Sequence, residues 1–239
     1  ALGFLHIKVY KRPRVCIFST GDELVSPGET PGPAQIRDIN GPMLSAQVQK
    51  TGGYPRYMGI ISDEKEKLKA ALLQSLEEAD LIIISGGSSV GTRDVTVSVI
   101  DQLPGEGSLF HGISMRPGKP LIYGMSKGKP IYGLSGNPVS AMFGFMLFVE
   151  PVLRYMQGLS PFPPFPPYVE ACLDTNLSSP GGREDYVRVR LSRSNAEGSE
   201  NSLPLATPVF GGPGLLSPVV KGDGYFVIPR DIEGLQKGS

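Results

Sequence analysis

The chain has 239 residues, 40% of them hydrophobic and 19% charged, and 23 basic residues balance 23 acidic ones for a formal net charge of +0. This composition suits one large domain or two modest ones with a real core. Balanced charge excludes bulk electrostatic attraction to nucleic acid or an anionic membrane, while leaving room for a local basic pocket. The two cysteines, Cys16 and Cys172, lie far apart without metal-ligand spacing. Cys16 therefore reads as a packed thiol, and a reducing cytoplasm is the expected location. Ala1–Tyr10 is a poor signal peptide, because its positive charge follows the apolar stretch. The longest apolar run, Ala141–Val149, is too short to span a bilayer.

Taken in order, Arg14–Ser19 reads as a strand and Gly21–Pro33 as a Gly/Pro-rich loop. Asn40–Thr51 reads as a helix, with Asn40 as its N-cap and Gly52-Gly53 as its stop. Tyr54–Ile61 is the next strand. Asp63 and Glu66 have capping-box spacing before a helix that runs to Ala79, with Leu68, Leu72, Leu73 and Leu76 as its apolar stripe. Leu81–Ile84 is a buried strand, and Asp94–Leu103 a further helix candidate. Leu109–Ser114, Leu121–Gly124 and Ile131–Leu134 are short strand candidates. A last helix starts at Pro138, capped by Asn137 with Pro in the first turn. Its Ala141–Tyr155 stretch is apolar on nearly all sides, as in a helix deeply buried or shared with another subunit.

Strands alternating with helices predict an α/β fold, a three-layer, mainly parallel sheet with ligands gathering at the carboxyl ends of its strands. Leu159–Pro167 is a stiff Pro-rich linker. Beyond it, the alternating Tyr186–Leu191 and the strand Tyr225–Ile228 predict a small C-terminal β-domain.

Two glycine-rich runs follow buried strands, Ser85–Asp94 and Ser135–Ser140. Glycines there let backbone approach a phosphate or other oxyanion closely. Arg116 and Lys119 flank a tight turn, Met115-Arg116-Pro117-Gly118-Lys119-Pro120, that holds two cations close together. Glu23, Asp63 and Asp94 all sit beyond strand carboxyl ends, where carboxylates can hold a Mg²⁺ that bridges phosphate oxygens. On spacing alone, Asp63 and Asp94 also suit helix caps, Glu23 an exposed loop, and Arg116 with Lys119 a solvated turn. His111 reads as structural.

Four motifs occur in order: Ser19-Thr20-Gly21-Asp22-Glu23-Leu24; Ser85-Gly86-Gly87 with Ser89-Val90-Gly91 and Asp94; Pro117-Gly118-Lys119-Pro120; and Gly136-Asn137-Pro138-Val139-Ser140. Together they resemble the molybdopterin molybdenumtransferases, the MoeA and gephyrin E-domain family. Asp223–Pro229 looks like that family's final β-domain.

The resemblance implies a MoaB/MogA-like sheet and an enzyme of molybdenum cofactor biosynthesis. Such an enzyme inserts molybdate into adenylylated molybdopterin and releases AMP with help from Mg²⁺. Glu23, Asp63 and Asp94 would be catalytic and metal-holding. Gly86, Gly87, Ser89, Gly91, Gly136, Asn137 and Ser140 would bind the molybdopterin/AMP ligand. Arg116, Pro117, Lys119 and Pro120 would form the molybdate region, with Ser89 and Ser140 beside it.

It also implies a homodimer, with neither nucleic acid nor membrane as partner. The domains would be 1–13, the tail of an N-terminal domain otherwise missing; 14–158, the molybdopterin-binding α/β domain; 159–167, the linker; and 168–239, the β-domain. The family normally carries two more N-terminal domains, and the chain looks truncated at both ends. Arg116 stands where the family has Lys, a fork in place of a point charge. Ser135 replaces a usual Pro and Ser88 a usual Val. A molybdopterin adenylyltransferase, which the Arg93-Asp94-Val95-Thr96 run resembles, and a non-catalytic pterin-binding or scaffold module are the alternatives.

Overall fold

The computed structural model describes residues 3–86, 90–163, 168–193, 203–211 and 220–239, and the backbone alone for 90–94. β1 (Arg14–Thr20) is followed by β2 (Leu24–Val25) and β3 (Ile36–Arg37), a small parallel pair. Then come α1 (Asn40–Lys50), β4 (Tyr54–Ile61), α2 (Lys65–Glu78), β5 (Leu81–Gly86) and α3 (Val90–Ile100). β6 (Gly107–His111), β7 (Met115–Arg116), β8 (Ile122–Ser126) and β9 (Lys129–Leu134) lead into one long helix. That helix comprises α4 (Pro138–Gly144), a π-helical segment (Phe145–Val149) and α5 (Glu150–Met156).

Six strands form the main sheet in the order β4-β1-β5-β9-β8-β6. The first three pairings are parallel and the last two antiparallel. The strands read as unbroken apolar runs because both faces are covered. Val15, Ile17, Leu81 and Ile83 face a core with Leu44, Val48, Phe145 and Leu153. Their neighbours Cys16, Phe18, Ile82 and Ile84 face the opposite core with Leu68, Leu72, Leu76 and Val99. The three-layer, mainly parallel architecture is thus present.

Several local expectations change. Asn40 is the first helical residue of α1 and not its cap: Asp38 Oδ1 accepts from the Asn40 and Gly41 amides and does the capping. α2 starts at Lys65 without a side-chain cap, so the Asp63/Glu66 capping box does not form. Its buried stripe is Leu68, Leu72 and Leu76, while Leu73 turns outward at 37% exposure. α3 begins four residues before Asp94, which therefore lies inside the helix. β6 starts two residues before the expected strand.

The long helix, Pro138–Met156, has 19 residues with hydropathy 1.3, enough by length and composition to cross a membrane. Its apolar face instead packs on the sheet through Ala141, Phe145, Val149 and Leu153. Residues four apart drift by about 40° per step on a regular α-helix. The wider π turn takes this drift back, so all four stay on one face.

The C-terminal part holds β10 (Cys172–Leu173), β11 (Leu177–Ser178), β12 (Glu184–Ser192), β13 (Leu205–Pro208), β14 (Gly224–Ile228) and β15 (Gly234–Leu235). One sheet runs β10-β13-β12-β14, and β11 pairs with β15. Val187 and Val189 point inward on β12, as its alternation predicts. β7 crosses from the α/β unit and pairs in parallel with β12, opposing Met115 to Glu184 and Arg116 to Asp185. Phe143 of α4, fully buried, packs against Tyr186 and Tyr225 at ring-centroid distances of 5.6 and 5.4 Å.

Candidate active site at the carboxyl end of the sheet

Parallel strands deliver the loops after β1, β4, β5 and β9 to one end of the sheet, and β6 delivers the 112–121 loop to the same end. In the first loop, Gly21 has φ +147°, and a Cβ there would lie 2.7 Å from Glu23 Oε2. The Glu23 carboxylate thus folds back over a residue that must be glycine. The Asp63 amide donates to Asp22 Oδ1 at 3.5 Å, joining the loops after β1 and β4. Burial first, then the charges of Asp22 and Glu23, hold the Asp63 carboxyl above the usual carboxylate range. Glu23 and Asp63 therefore share one acidic region. The side chain of Asp94 lies outside the described residues. Among those residues, no three His, Cys, Asp or Glu side chains converge as a metal site. The donors present are carboxylate oxygens, the type Mg²⁺ takes.

Beneath these loops runs a buried polar network. Asp38, 2% exposed, accepts from Ser19 Oγ (2.8 Å) and the Tyr57 hydroxyl on Oδ2, and from the Asn40 and Gly41 amides on Oδ1. Burial, then the Asp38 carboxylate, pushes the Tyr57 phenol well above its ordinary value and keeps it a donor. Asn40 Nδ2 donates to Ser85 Oγ and to the Gly136 carbonyl, both at 2.9 Å. Ser85 Oγ donates onward to the Ser135 carbonyl at 3.4 Å, and Ser135 Oγ accepts from the Asn137 amide at 3.2 Å. Asn137 Oδ1 then caps α4 by accepting from the Val139 and Ser140 amides at 3.0 and 3.2 Å, with the Ser140 hydroxyl at 3.5 Å.

Gly86 has φ +130°, and a Cβ there would collide with the Thr20 carbonyl opposite it on β1. Thr20 Oγ1 beside it is buried and without a partner among the described residues. Gly87 and Ser89 lie outside the described residues, and Gly91 sits in the first turn of α3.

The 112–121 loop is tied at its base by Gly112 N–H to the Leu121 carbonyl (2.7 Å) and Ile113 N–H to the Lys119 carbonyl (3.0 Å). The Arg116–Pro117 peptide is cis. Gly118 has φ +115°, and a Cβ there would lie 3.3 Å from Met115 Cε and 3.7 Å from the Ser140 carbonyl. The Pro-Gly-Lys-Pro turn therefore stands over the start of α4, beside the second glycine loop. Lys119 is exposed and in no ion pair among the described residues. Arg116 differs. Its Nε donates to Asp185 Oδ1 at 3.1 Å and its Nη2 to Oδ2, and Ser179 Oγ donates to the same carboxylate at 2.9 Å. The expected pair of free cations is thus one free cation and one guanidinium held by a carboxylate of the β-domain.

Sequence reasoning passed over Asp38, Tyr57 and Asp185. The available signal was a carboxylate two residues before a helix, and Ser19 and Ser85 ending strands that are otherwise apolar.

A three-layer sheet with these loops, followed by a β-domain that clasps the cation loop, defines a molybdopterin-binding type of protein. Residues 16–155 match the family model described as "Probable molybdopterin binding domain", and residues 170–239 match the MoeA C-terminal region, domain IV. The chain belongs to the MoeA family of molybdopterin biosynthesis proteins.

It is similar to the molybdopterin molybdenumtransferase of Nostoc sp., at 40% identity over 186 residues covering 76% of this chain and 42% of the relative. It is also similar to that of Bacillus subtilis, at 31% identity over 237 residues covering 99% and 53%. Two crystal structures of MoeA proteins from Pyrococcus horikoshii superimpose with TM-scores of 0.77 and 0.74 at 35% and 27% identity. Each covers 95% of this chain, and 53% and 52% of those chains respectively. The chain spans about half the length of the curated relatives it matches.

Proposed function

We propose that this chain carries the catalytic cleft of a molybdopterin molybdenumtransferase, which takes adenylylated molybdopterin and molybdate, inserts the metal oxyanion into the dithiolene and releases AMP. The observation that carries this reading is the packing of the Pro117–Pro120 turn over the start of α4, with Gly118 against the Ser140 carbonyl. That packing sets the exposed cation Lys119 in the loop beside a glycine loop suited to phosphate.

Each group then has a role. Lys119 attracts the molybdate dianion, and Pro117 and Pro120 keep its loop fixed, so little order has to be imposed on binding. Arg116, held by Asp185, gives the turn charge and a fixed direction. Gly86, Gly87, Ser89, Gly91, Gly136, Asn137 and Ser140 take the phosphate-bearing part of the ligand. Glu23, Asp63 and Asp94 would hold Mg²⁺, which screens the charge on the departing phosphate. The raised carboxyl of Asp63 suits such a site, since a cation relieves the repulsion from Asp22 and Glu23. The same reading assigns a cytoplasmic homodimer with neither nucleic acid nor membrane as partner.

The test is AMP release from adenylylated molybdopterin by this chain with Mg²⁺, with and without molybdate. Molybdate-dependent release that disappears in Asp94→Ala supports the transferase. Tight binding without release marks a pterin-binding unit that needs the remainder of the longer relatives for turnover. Neither binding nor release by the folded chain overturns the reading.

A further inference from the structure

Two ligand loops on neighbouring strands bind one ligand well only if their separation is fixed. β5 and β9 stay in register as far as the pair Ser85–Leu134, and beyond it each chain leaves the sheet separately. A single side chain from a third element bridges them there. Asn40, at the start of α1, is 6% exposed, and its amide nitrogen donates to Ser85 Oγ and to the Gly136 carbonyl. Both protons of that nitrogen are therefore used, one on each loop.

The amide has only one usable orientation. A carbonyl acceptor such as Gly136 O requires a donor opposite it, so the nitrogen must face the loops. Asn40 Oδ1 is left buried without a partner among the described residues. A buried acceptor left unpaired is costly, and persists where the other half of the group is needed. Asn40 is itself held rigidly: its own amide and that of Gly41 donate to Asp38, whose other oxygen takes Ser19 and Tyr57 from β1 and β4. Gly41 has no room for a Cβ against the Tyr57 ring and the Asp38 carboxylate, so this packing is closed on that side.

We propose that Asn40 is a positioning residue that sets the spacing of the β5 and β9 loops, and through that spacing the affinity for the phosphate-bearing ligand. The inference rests on the proposed ligand reading of the site. Asn40 does not touch the ligand; it acts through Ser85 and Gly136.

The test compares the parent chain with Asn40→Asp, which keeps shape but replaces both donors with acceptors. Ser85→Ala is the milder variant should Asn40→Asp fold poorly. Leu76→Ala, in the core on the opposite face of the sheet, serves as a destabilised control. The expected result is a loss of affinity for adenylylated molybdopterin of roughly 10- to 100-fold in Asn40→Asp, the scale of an ångström-sized misplacement. Ser85→Ala shows a smaller loss, and Leu76→Ala stays within about twofold of the parent. Where turnover is followed, the loss falls on KM and leaves kcat nearly unchanged, because phosphate contacts are made alike before and during reaction.

Hydrogen exchange adds a readout independent of ligand. The Asn137, Val139 and Ser140 amides exchange faster in Asn40→Asp, while amides of α2 do not. Parent-like affinity and exchange in both Asn40→Asp and Ser85→Ala overturn the inference and leave the ligand reading standing. A parent chain that does not bind the adenylylated pterin overturns the ligand reading, and the inference with it.

Discussion

The α/β unit and the C-terminal β-domain solve the same problem with different means. The α/β unit buries two full cores, one on each face of its sheet. The β-domain has a single cluster of Leu173, Leu177, Val187 and Ile228 among the described residues, with Phe226 and Leu235 beside it. A core that small gives little margin against chain entropy. The β-domain gains the remainder from its neighbour: Phe143 set against Tyr186 and Tyr225, the Arg116–Asp185 pair, and the pairing of β7 with β12. The smaller domain is thus built around contacts that also hold the cation loop, so its stability and the geometry of the site are one question.

The sharpest way to break this contrast is Phe143→Ala. The fully buried ring serves both domains, and its loss should cost ~3–5 kcal/mol. Denaturant unfolding should then show an early transition for the β-domain, with proteolysis cutting there first. A single, unshifted transition would mean that the β-domain stands on its own core.

Asp185→Ala tests the polar half of the same junction. Asp185 is 4% exposed, but Arg116 is open enough for its charge to be hydrated once unpaired, so the expected loss is about 1–3 kcal/mol. Tyr186 and Tyr225 fluorescence should change while the far-ultraviolet signal of the helices persists.

Asn137→Ala acts inside the α/β unit alone. It removes the cap of the long helix at an expected cost of about 1 kcal/mol. The β-domain transition in denaturant should stay where it was.

The smallest effect is that of Asp63→Asn. Because the native carboxyl titrates above its unfolded value, folding takes up a proton between the two values. Stability linked to this group is therefore fully present below the ordinary carboxylate range and is lost as pH rises through the raised value. Removing the charge should stabilise the chain at pH 7 by less than about 1 kcal/mol, since the group is largely open to solvent. The gain should vanish near pH 3. A thermal melt series across pH reads it directly.

What the sequence made legible follows from the range of each interaction. Strands such as Tyr54–Ile61 and Leu81–Gly86 announce themselves through local apolar runs, and Asn137-Pro138 carries a complete helix start in two residues. The carboxyl-end placement of both glycine loops follows from the alternation of strands and helices. Arg116 is different: its partner Asp185 lies 69 residues away, and no local pattern joins a two-residue strand to a second domain. The cap of α1 was assigned to Asn40, a good capping residue one turn-step too late, because Asp38 reaches forward over Ile39 to do the work. With its own backbone already helical, the Asn40 side chain is free to bridge the loops.

The π-helical turn at Phe145–Val149 has a consequence for how this chain tolerates change in length. Loops absorb an added or lost residue at little cost, but here one residue of slack is what aligns the two halves of a helix. Deleting a single residue within that turn would leave a regular, fully hydrogen-bonded α-helix. Everything after it, Leu153 included, would be rotated by about 100° away from the sheet. The helix works as a vernier, with its setting stored in one surplus residue.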